Sequence, residues 1–281
     1  MKKCLVLQSD FGLGDGAVSA MVGVAYGVDP ELKIHDVTHD ITPYNIFEAS
    51  YRLVQTAEYW PVGTVFVSVV DPGVGSNRQS VVALLNNGQY IVTPNNGTLT
   101  HLHHKFGVKQ MREISEAKHR RANTEESYTF HGRDVYAYTG AKIAAGEISF
   151  EEVGPLLPLT DLVEVETGPV TMEDGCISGN IDILDVRFGS LWTNIPLTEF
   201  QKLNVNFGEK VEVTIYNGST MAYQNNILYG KSFADVMIGA PIVYANSLYK
   251  MGIAINQGSF ARAYNIGVGL HWRVEVRRRS Y

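Results

Sequence analysis

Residues 64–78 read TVFVSVVDPGVGSNR. Seven mostly apolar residues, Thr64 to Val70, run straight into Asp71; Pro72 and Gly73 then turn the chain, and Arg78 follows a second glycine, Gly75. The apolar, β-branched run predicts a strand. A solvated turn after it would accept any polar residue. A carboxylate and a guanidinium folded back on each other point to something more specific.

The flanking sequence places this strand in an alternating pattern. "KCLVLQS" reads as a buried strand ending at Asp10, followed by a glycine-rich loop and by "AVSAMVGVAYGV", whose apolar residues recur at helical spacing until Pro30. "LKIHDVTH" is strand-like. Thr42 followed by Pro43 reads as an N-cap with proline at the first helical position, predicting a helix through about Trp60. "SVVALLNNGQYIVTPNNG" reads as two strands joined by an Asn-Asn-Gly turn, and "VYAYTGAKIAAGE" returns to helical spacing. Strands alternating with helices predict an α/β domain with a largely parallel sheet, assigned to residues 1–160.

Past Gly154 the character changes. "VGPLLPLTDLVEVETGPV" carries three of the ten prolines and reads as a linker or crossover. Short runs such as "KVEVTIYN", "APIVYAN", "KMGIAIN" and "HWRVEVRR" follow, broken by Asn-Gly and Gly turns, and only "TEFQKL" is helix-like. Residues 161–281 are therefore expected to form a smaller β-barrel or sandwich.

The totals agree with two domains. The chain has 281 residues, 45% hydrophobic and 19% charged, enough for a sizeable core. A net charge of −6 argues against broad nucleic-acid binding, and Arg277, Arg278 and Arg279 read as a solvated end. Cys4 and Cys176 have no metal-ligand spacing and read as reduced thiols. The first ten residues lack a signal-peptide core, and no apolar run is long enough to span a bilayer. The expectation is a cytoplasmic protein without a membrane partner.

Several motifs could carry chemistry. "SDFGLGDG" (Ser9 to Gly16) admits a phosphate cradle, although it lacks the glycine order of a dinucleotide fingerprint and a P-loop lysine. Asp10 at a strand end could instead accept two ribose hydroxyls, or merely cap a helix. "IHDVTHD" and "HLHH" resemble metal ligands, but their histidines read as surface or supporting groups, and no metal is assigned. "TFHGRD" sets His131 between Phe130 and Gly132, just ahead of a helix. "LDVRFGSLWTNI" groups Asp185, Phe188 and Trp192 around a glycine bend, suited to a cationic or purine-bearing ligand or to a plain barrel core. Asn246, Ser247, Asn256 and Gln257 could read the edges of a heterocycle or serve as turn residues.

Taken in order, "SDFG", "TPYN", "VDPGVGSNR", "PNNG", "FHGRD", "FGSLWTNI" and "NQGSFA" resemble the S-adenosyl-L-methionine hydroxide adenosyltransferases over nearly the whole chain. These hydrolases are related to the fluorinating and chlorinating enzymes that use the same substrate. The resemblance implies an α/β domain followed by a β-barrel, no cofactor, and a homotrimer binding S-adenosyl-L-methionine between neighbouring subunits. Asp71, Arg78 and His131 fall on the Asp-Arg-His set of the hydrolytic branch. Asp10 would then hold the ribose hydroxyls, and Tyr44 stands where the halogenating branch has tryptophan. Phe130, Phe188 and Phe233 match aromatic lining positions, Asp185 and Ser247 the methionine amino-acid end, and Asn256 a further substrate contact. Ser190 replaces an asparagine that contacts adenine in the halogenating relatives, and Gly132 replaces the serine of the fluorinating enzyme.

The implied reaction is attack of water on the ribose C5′, giving adenosine and methionine. The alternatives are a halogenating relative, disfavoured by Asp71, a non-catalytic S-adenosyl-L-methionine or nucleoside sensor, and, more remotely, a metal-dependent nucleosidase.

Overall fold

The apolar runs that open the chain become the centre of a seven-stranded sheet. The computed structural model describes residues 3–278 and separates into two units, 1–165 and 166–281. The first contains β1 (Cys4–Ser9), α1 (Ala17–Val28), β2 (Lys33–Thr38), α2 (Ile46–Ala57), β3 (Val65–Val69), β4 (Ser80–Leu85), β5 (Tyr90–Pro94), α3 (Thr100–Phe106), β6 (Val108–Glu113), α4 (Glu116–His119), α5 (Tyr138–Ala145) and β7 (Leu156–Leu157). The strand order is β2-β1-β3-β5-β4-β6-β7. The four strands from β2 to β5 in that order are parallel, while β4, β6 and β7 are added antiparallel.

Alternation along the central strands explains the helical cover. Leu5, Leu7, Val65 and Val67 face one cluster with Met21 of α1 and Ala141 of α5; Val6 and Phe66 face another with Leu53 of α2 and Leu102 of α3. A strand covered on both faces needs apolar residues at every position, which is why "TVFVSVV" shows no polar alternation. Each fully buried Val, Leu or Phe contributes roughly 1.5–3 kcal/mol. Helix α5 comes close enough that a Cβ at Gly140 would lie 2.4 Å from Val67 Cγ2.

The chain leaves β1 toward β2 on one side and returns through α2 to β3 on the other. Such a switch point opens a crevice beyond the carboxyl ends of the strands. Ser9 pairs with Val69, so Asp10 and Asp71, each just beyond its strand, sit at that crevice.

The helix expected from Thr42 to Trp60 is shorter. Tyr44 adopts φ 67°, a left-handed conformation incompatible with a helix, and its N–H donates to Asp10 Oδ2 at 2.9 Å. Asn45 is the true N-cap, accepting from the Glu48 N–H, while Glu48 Oε2 takes the Thr42 N–H. The proline-rich stretch is no free linker either: Leu156 and Leu157 pair with β6.

The second unit comprises β8 (Thr171–Glu173), β9 (Cys176–Leu184), β10 (Leu191–Pro196), α6 (Leu197–Phe200), β11 (Lys210–Asn217), β12 (Thr220–Tyr229), β13 (Pro241–Ala245), β14 (Lys250–Ile255), α7 (Phe260–Tyr264) and β15 (Gly269–Arg278). Pairing of β9 with both β10 and β15 closes seven strands into a barrel, with β8 attached outside. Closure removes the free edges a sandwich would leave. Ile177, Ile181, Val213, Ile253 and Val274 are among the residues filling the barrel. Helix α7, capped by Ser259, is too short to show helical periodicity. Arg277 and Arg278 belong to β15 rather than to a free tail; Arg279 lies outside the described residues. Among the described residues no helix is long and apolar enough to cross a membrane.

Candidate active site

At the crevice of the first unit lies a cavity of about 380 Å³ lined by Asp10, Tyr44, Asp71, Phe130 and His131 among others. Its walls are fixed from behind. His39 Nδ1 lies 2.7 Å from Ser9 Oγ, and the His39 carbonyl accepts the Gly12 N–H at 2.8 Å, so the loop carrying Asp10 is tied at both ends. The bond from Tyr44 N–H to Asp10 helps hold Tyr44 in its left-handed conformation, a backbone that costs a non-glycine residue about 1–3 kcal/mol. Tyr44 stays 73% exposed.

Asp71 and Arg78 meet through the turn quoted above. Arg78 Nε donates to Asp71 Oδ1 at 2.8 Å and Nη2 to Oδ2, a bidentate pair, while Nη1 donates to Ser80 Oγ at 2.8 Å. The Asp71 side chain is only 5% exposed, so this pair is largely desolvated. Tyr136 OH lies 3.4 Å from Asp71 Oδ2 and 3.1 Å from Ser80 Oγ; burial, then the Asp71 charge, raises its pKa and keeps the phenol protonated. Arg78 Nη2 also lies 3.1 Å from His131 Nδ1.

On its other side His131 meets a second arginine. Arg120 Nη2 is 2.7 Å from Nε2, and Arg120 is itself bonded to Glu116 and placed over the Tyr128 ring. The His131 pKa is lowered, first by burial and then, against the pull of Glu116, by the charges of Arg120 and Arg78. The imidazole is therefore neutral at neutral pH. Gly132 packs against Phe11: a Cβ there would sit 3.1 Å from its ring and 3.3 Å from Val69, so a serine would require both to shift.

The barrel carries a separate cavity of about 940 Å³. Asp185, Phe188, Ser190, Phe233, Ser247 and Asn256 all line it. Phe188 is 69% and Phe233 44% exposed. Burial raises the Tyr244 pKa, and the Asp185 charge adds to that rise. Tyr244 forms part of the wall, accepting from Trp192 Nε1 at 3.1 Å and lying so close to Gly252 that a Cβ there would be 2.7 Å from its ring. Asn256 Nδ2 donates to Val236 O at 2.9 Å, and Asn246 Oδ1 accepts the N–H groups of Leu248 and Lys250. Both asparagines hold turns as well as facing the cavity.

The metal-like histidines each have another occupation. His35 packs at 5.3 Å from Trp60, His101 Nδ1 bonds Ser50 Oγ, His103 Nδ1 accepts the Val108 N–H, and His104 pairs with Glu164. Among the described residues no three His, Cys, Asp or Glu side chains gather around one point. Arg120, Glu116 and Tyr136 went unread in the sequence. Tyr136 lies five residues past His131, where the π-helical turn Gly132–Ala137 stretches the spacing, and no local signal marks Arg120.

In chemical terms the first cavity offers a buried carboxylate with its charge balanced, a neutral imidazole, and a second carboxylate, Asp10, facing the same space. The set can hold a polar ligand at Asp10 and order a small nucleophile at Asp71.

Comparison with known proteins agrees in both units. The SAM hydroxide adenosyltransferase N-terminal domain matches residues 5–154 and the corresponding C-terminal domain residues 179–273. An (R)-S-adenosyl-L-methionine hydrolase of Thermus thermophilus is 32% identical over 273 residues, covering 95% of this chain and 97% of that protein. A fluorinase of Actinoplanes sp. is 29% identical over 290 residues, with 95% of each covered. A crystal structure of an uncharacterized conserved protein from Thermotoga maritima superposes with TM-score 0.89 at 31% identity, over 98% of this chain and 100% of that one. The chain belongs to the SAM hydroxide adenosyltransferase family.

Proposed function

We propose that this protein hydrolyses S-adenosyl-L-methionine to adenosine and L-methionine by attack of water on the ribose C5′. The observation that carries the reading is the Asp71–Arg78–His131 cluster, held beside Asp10 in one cavity. The sulfonium makes methionine a neutral leaving group, so no acid is needed at sulfur. The missing element is a nucleophile, because water with a pKa of about 15.7 is a poor one unless polarised.

In this reading Asp10 accepts the ribose hydroxyls and fixes C5′. Asp71 accepts a hydrogen bond from the attacking water, with Arg78 and His131 orienting the carboxylate and balancing charge. The new C5′–O bond forms as the C5′–S pair returns to sulfur, and the water proton leaves past Asp71 to solvent. The sum is S-adenosyl-L-methionine cation plus water giving adenosine, methionine and one proton. The barrel cavity supplies the other contacts: Asp185 and Ser247 for the amino-acid end, Phe188 and Phe233 for the flat and cationic parts. We assign that cavity to a neighbouring subunit of a homotrimer in the cytoplasm, on the family resemblance; light scattering showing an active monomer would remove this part.

The hydrolytic relatives are named for the (R) sulfonium epimer, so both epimers belong in the assay. Chromatography of the products tests the reading: equimolar adenosine and methionine are expected, with or without a chelator. Dominant halo-adenosine in the presence of chloride or fluoride would favour a halogenating enzyme, which the crowded Gly132 position and the presence of Asp71 both oppose. Unchanged substrate at high enzyme concentration would favour a sensor.

A further inference from the structure

We propose that Arg120 fixes the tautomer of His131, so that the imidazole presents Nδ1–H to the Asp71–Arg78 pair and acts there as a hydrogen-bond donor, not as a proton acceptor. For the purpose of that N–H the inference rests on the hydrolytic reading; for its existence it rests on the contacts at the two ring nitrogens and on the ring being neutral.

Both ring nitrogens of His131 face guanidinium nitrogens, Arg78 Nη2 at Nδ1 and Arg120 Nη2 at Nε2. A guanidinium has donors only, and a neutral imidazole has one lone pair, so one arginine is accepted and the other is not. The distances decide which. At 2.7 Å the Arg120 contact is tolerable only as a hydrogen bond, whereas the 3.1 Å contact to Arg78 can relax as a van der Waals approach. Each Nη2 also donates its other hydrogen to a carboxylate, that of Arg78 to Asp71 and that of Arg120 to Glu116, so it is the lengths of the two contacts that separate them. Nε2 therefore carries the lone pair and Nδ1 the proton, the reverse of the tautomer that predominates in free neutral histidine. The hydrogen bond at one ring nitrogen sets the protonation of the other.

Arg120 is built to hold this arrangement. Its side chain is 6% exposed, it donates twice to Glu116 Oε2 at 3.1 and 2.7 Å, and its guanidinium lies 4.7 Å from the Tyr128 ring centroid. The charged groups facing the imidazole are Arg78, Asp71, Arg120 and Glu116, and burial with the two cations disfavours adding a second ring proton. A water seated between Asp71 and His131 would then donate to the carboxylate and accept from Nδ1–H, which leaves a lone pair aimed away from both. Arg120 touches neither water nor substrate; it is a positioning residue.

The test is a long-range proton–nitrogen correlation spectrum of the full-length protein carrying nitrogen-15 histidine, at neutral pH without substrate, with His131 assigned by its loss in His131→Gln. A protonated Nδ1 and a bare Nε2 are expected. Arg120→Met should shift His131 toward Nε2–H and lower kcat by about 10- to 100-fold with KM within about twofold, the scale seen when a partner orienting a functional histidine is removed. Arg120→Lys should restore both the tautomer and most of kcat. A wild-type spectrum showing Nε2–H or a doubly protonated ring overturns the proposal even if no variant folds, as does Nδ1–H persisting in Arg120→Met. A tautomer that switches without any fall in kcat overturns the functional half. Because the spectrum is read on resting protein, Nδ1–H in a protein that does not turn over S-adenosyl-L-methionine would uphold the arrangement while the hydrolytic reading fell.

Discussion

The two cavities differ in how they are held. In the first unit almost every polar atom is committed before a ligand arrives: Asp71 to Arg78 and Tyr136, Asp10 to the Tyr44 backbone, His131 to the side chains on either side of it. In the barrel, Phe188 and Phe233 stand exposed, and the Asp185 carboxylate faces the cavity. The contrast separates two tasks. Chemistry gains from donors and acceptors fixed ahead of the reaction, whereas binding a large, partly flat substrate gains from exposed apolar area that the ligand covers.

Mutations on the two sides should therefore fail in different ways. The largest effect belongs to Asp71→Asn, which keeps the size and removes the charge; kcat should fall on the order of 10²–10⁴-fold with affinity little changed in calorimetric titration. Turnover at the wild-type rate would make Asp71 structural. Next comes Asp10→Ala, which removes the charged acceptor proposed for the two ribose hydroxyls. Hydrogen bonds to charged groups contribute roughly 1.5–3 kcal/mol each, so Kd should rise by about tenfold or more. Single-turnover rates on the same variant should fall less than for Asp71→Asn.

The smaller effects sharpen the contrast. Phe188→Ala should raise KM by roughly 2- to 10-fold, the worth of one aromatic contact, and leave kcat in place. A kcat loss there with KM unchanged would mean that the barrel cavity takes part in chemistry.

Acid dependence is the mildest expectation. The native pKa of His131 lies below its unfolded value of about 6.5, so the unfolded chain takes up the proton first as pH falls. The stability linked to neutral His131 is fully present above about pH 6.5 and is lost as pH falls from there toward the depressed native value. Buried His119 shifts the same way, chiefly by desolvation. Thermal unfolding against pH should show part of this acid loss disappear in His131→Gln, and kcat of the wild type should stay level through pH 6.5. An activity inflection at or above about 6.5 would contradict a neutral, donor-flanked imidazole.

What could be read from the sequence follows the range of the interactions. Strand β3 and the Asp71 turn were legible because a strand covered on both faces must be apolar throughout, and that is a local property. Barrel strands were legible through their Asn-Gly and Gly turns. The start of α2 was misread because the conformation of Tyr44 depends on Asp10, 34 residues away, which outweighs the local Thr-Pro signal. Tyr136 reaches Asp71 across 65 residues, and barrel closure joins β9 to a strand at the far end of the second unit. No window of sequence contains such pairings. The Asp71–Arg78 pair stood out within its own turn, but His131 was joined to it only through the family resemblance, and the second arginine at His131 was not read at all.

In the proposed reaction the first cavity directs water to C5′. Turnover of S-adenosyl-L-methionine in water enriched with heavy oxygen, followed by mass analysis of the nucleoside, tests it most directly. Adenosine bearing one solvent oxygen at the 5′-hydroxyl, formed in step with methionine, is the expected product. Adenine released from an intact ribosyl fragment, or adenosine without the label, would contradict it.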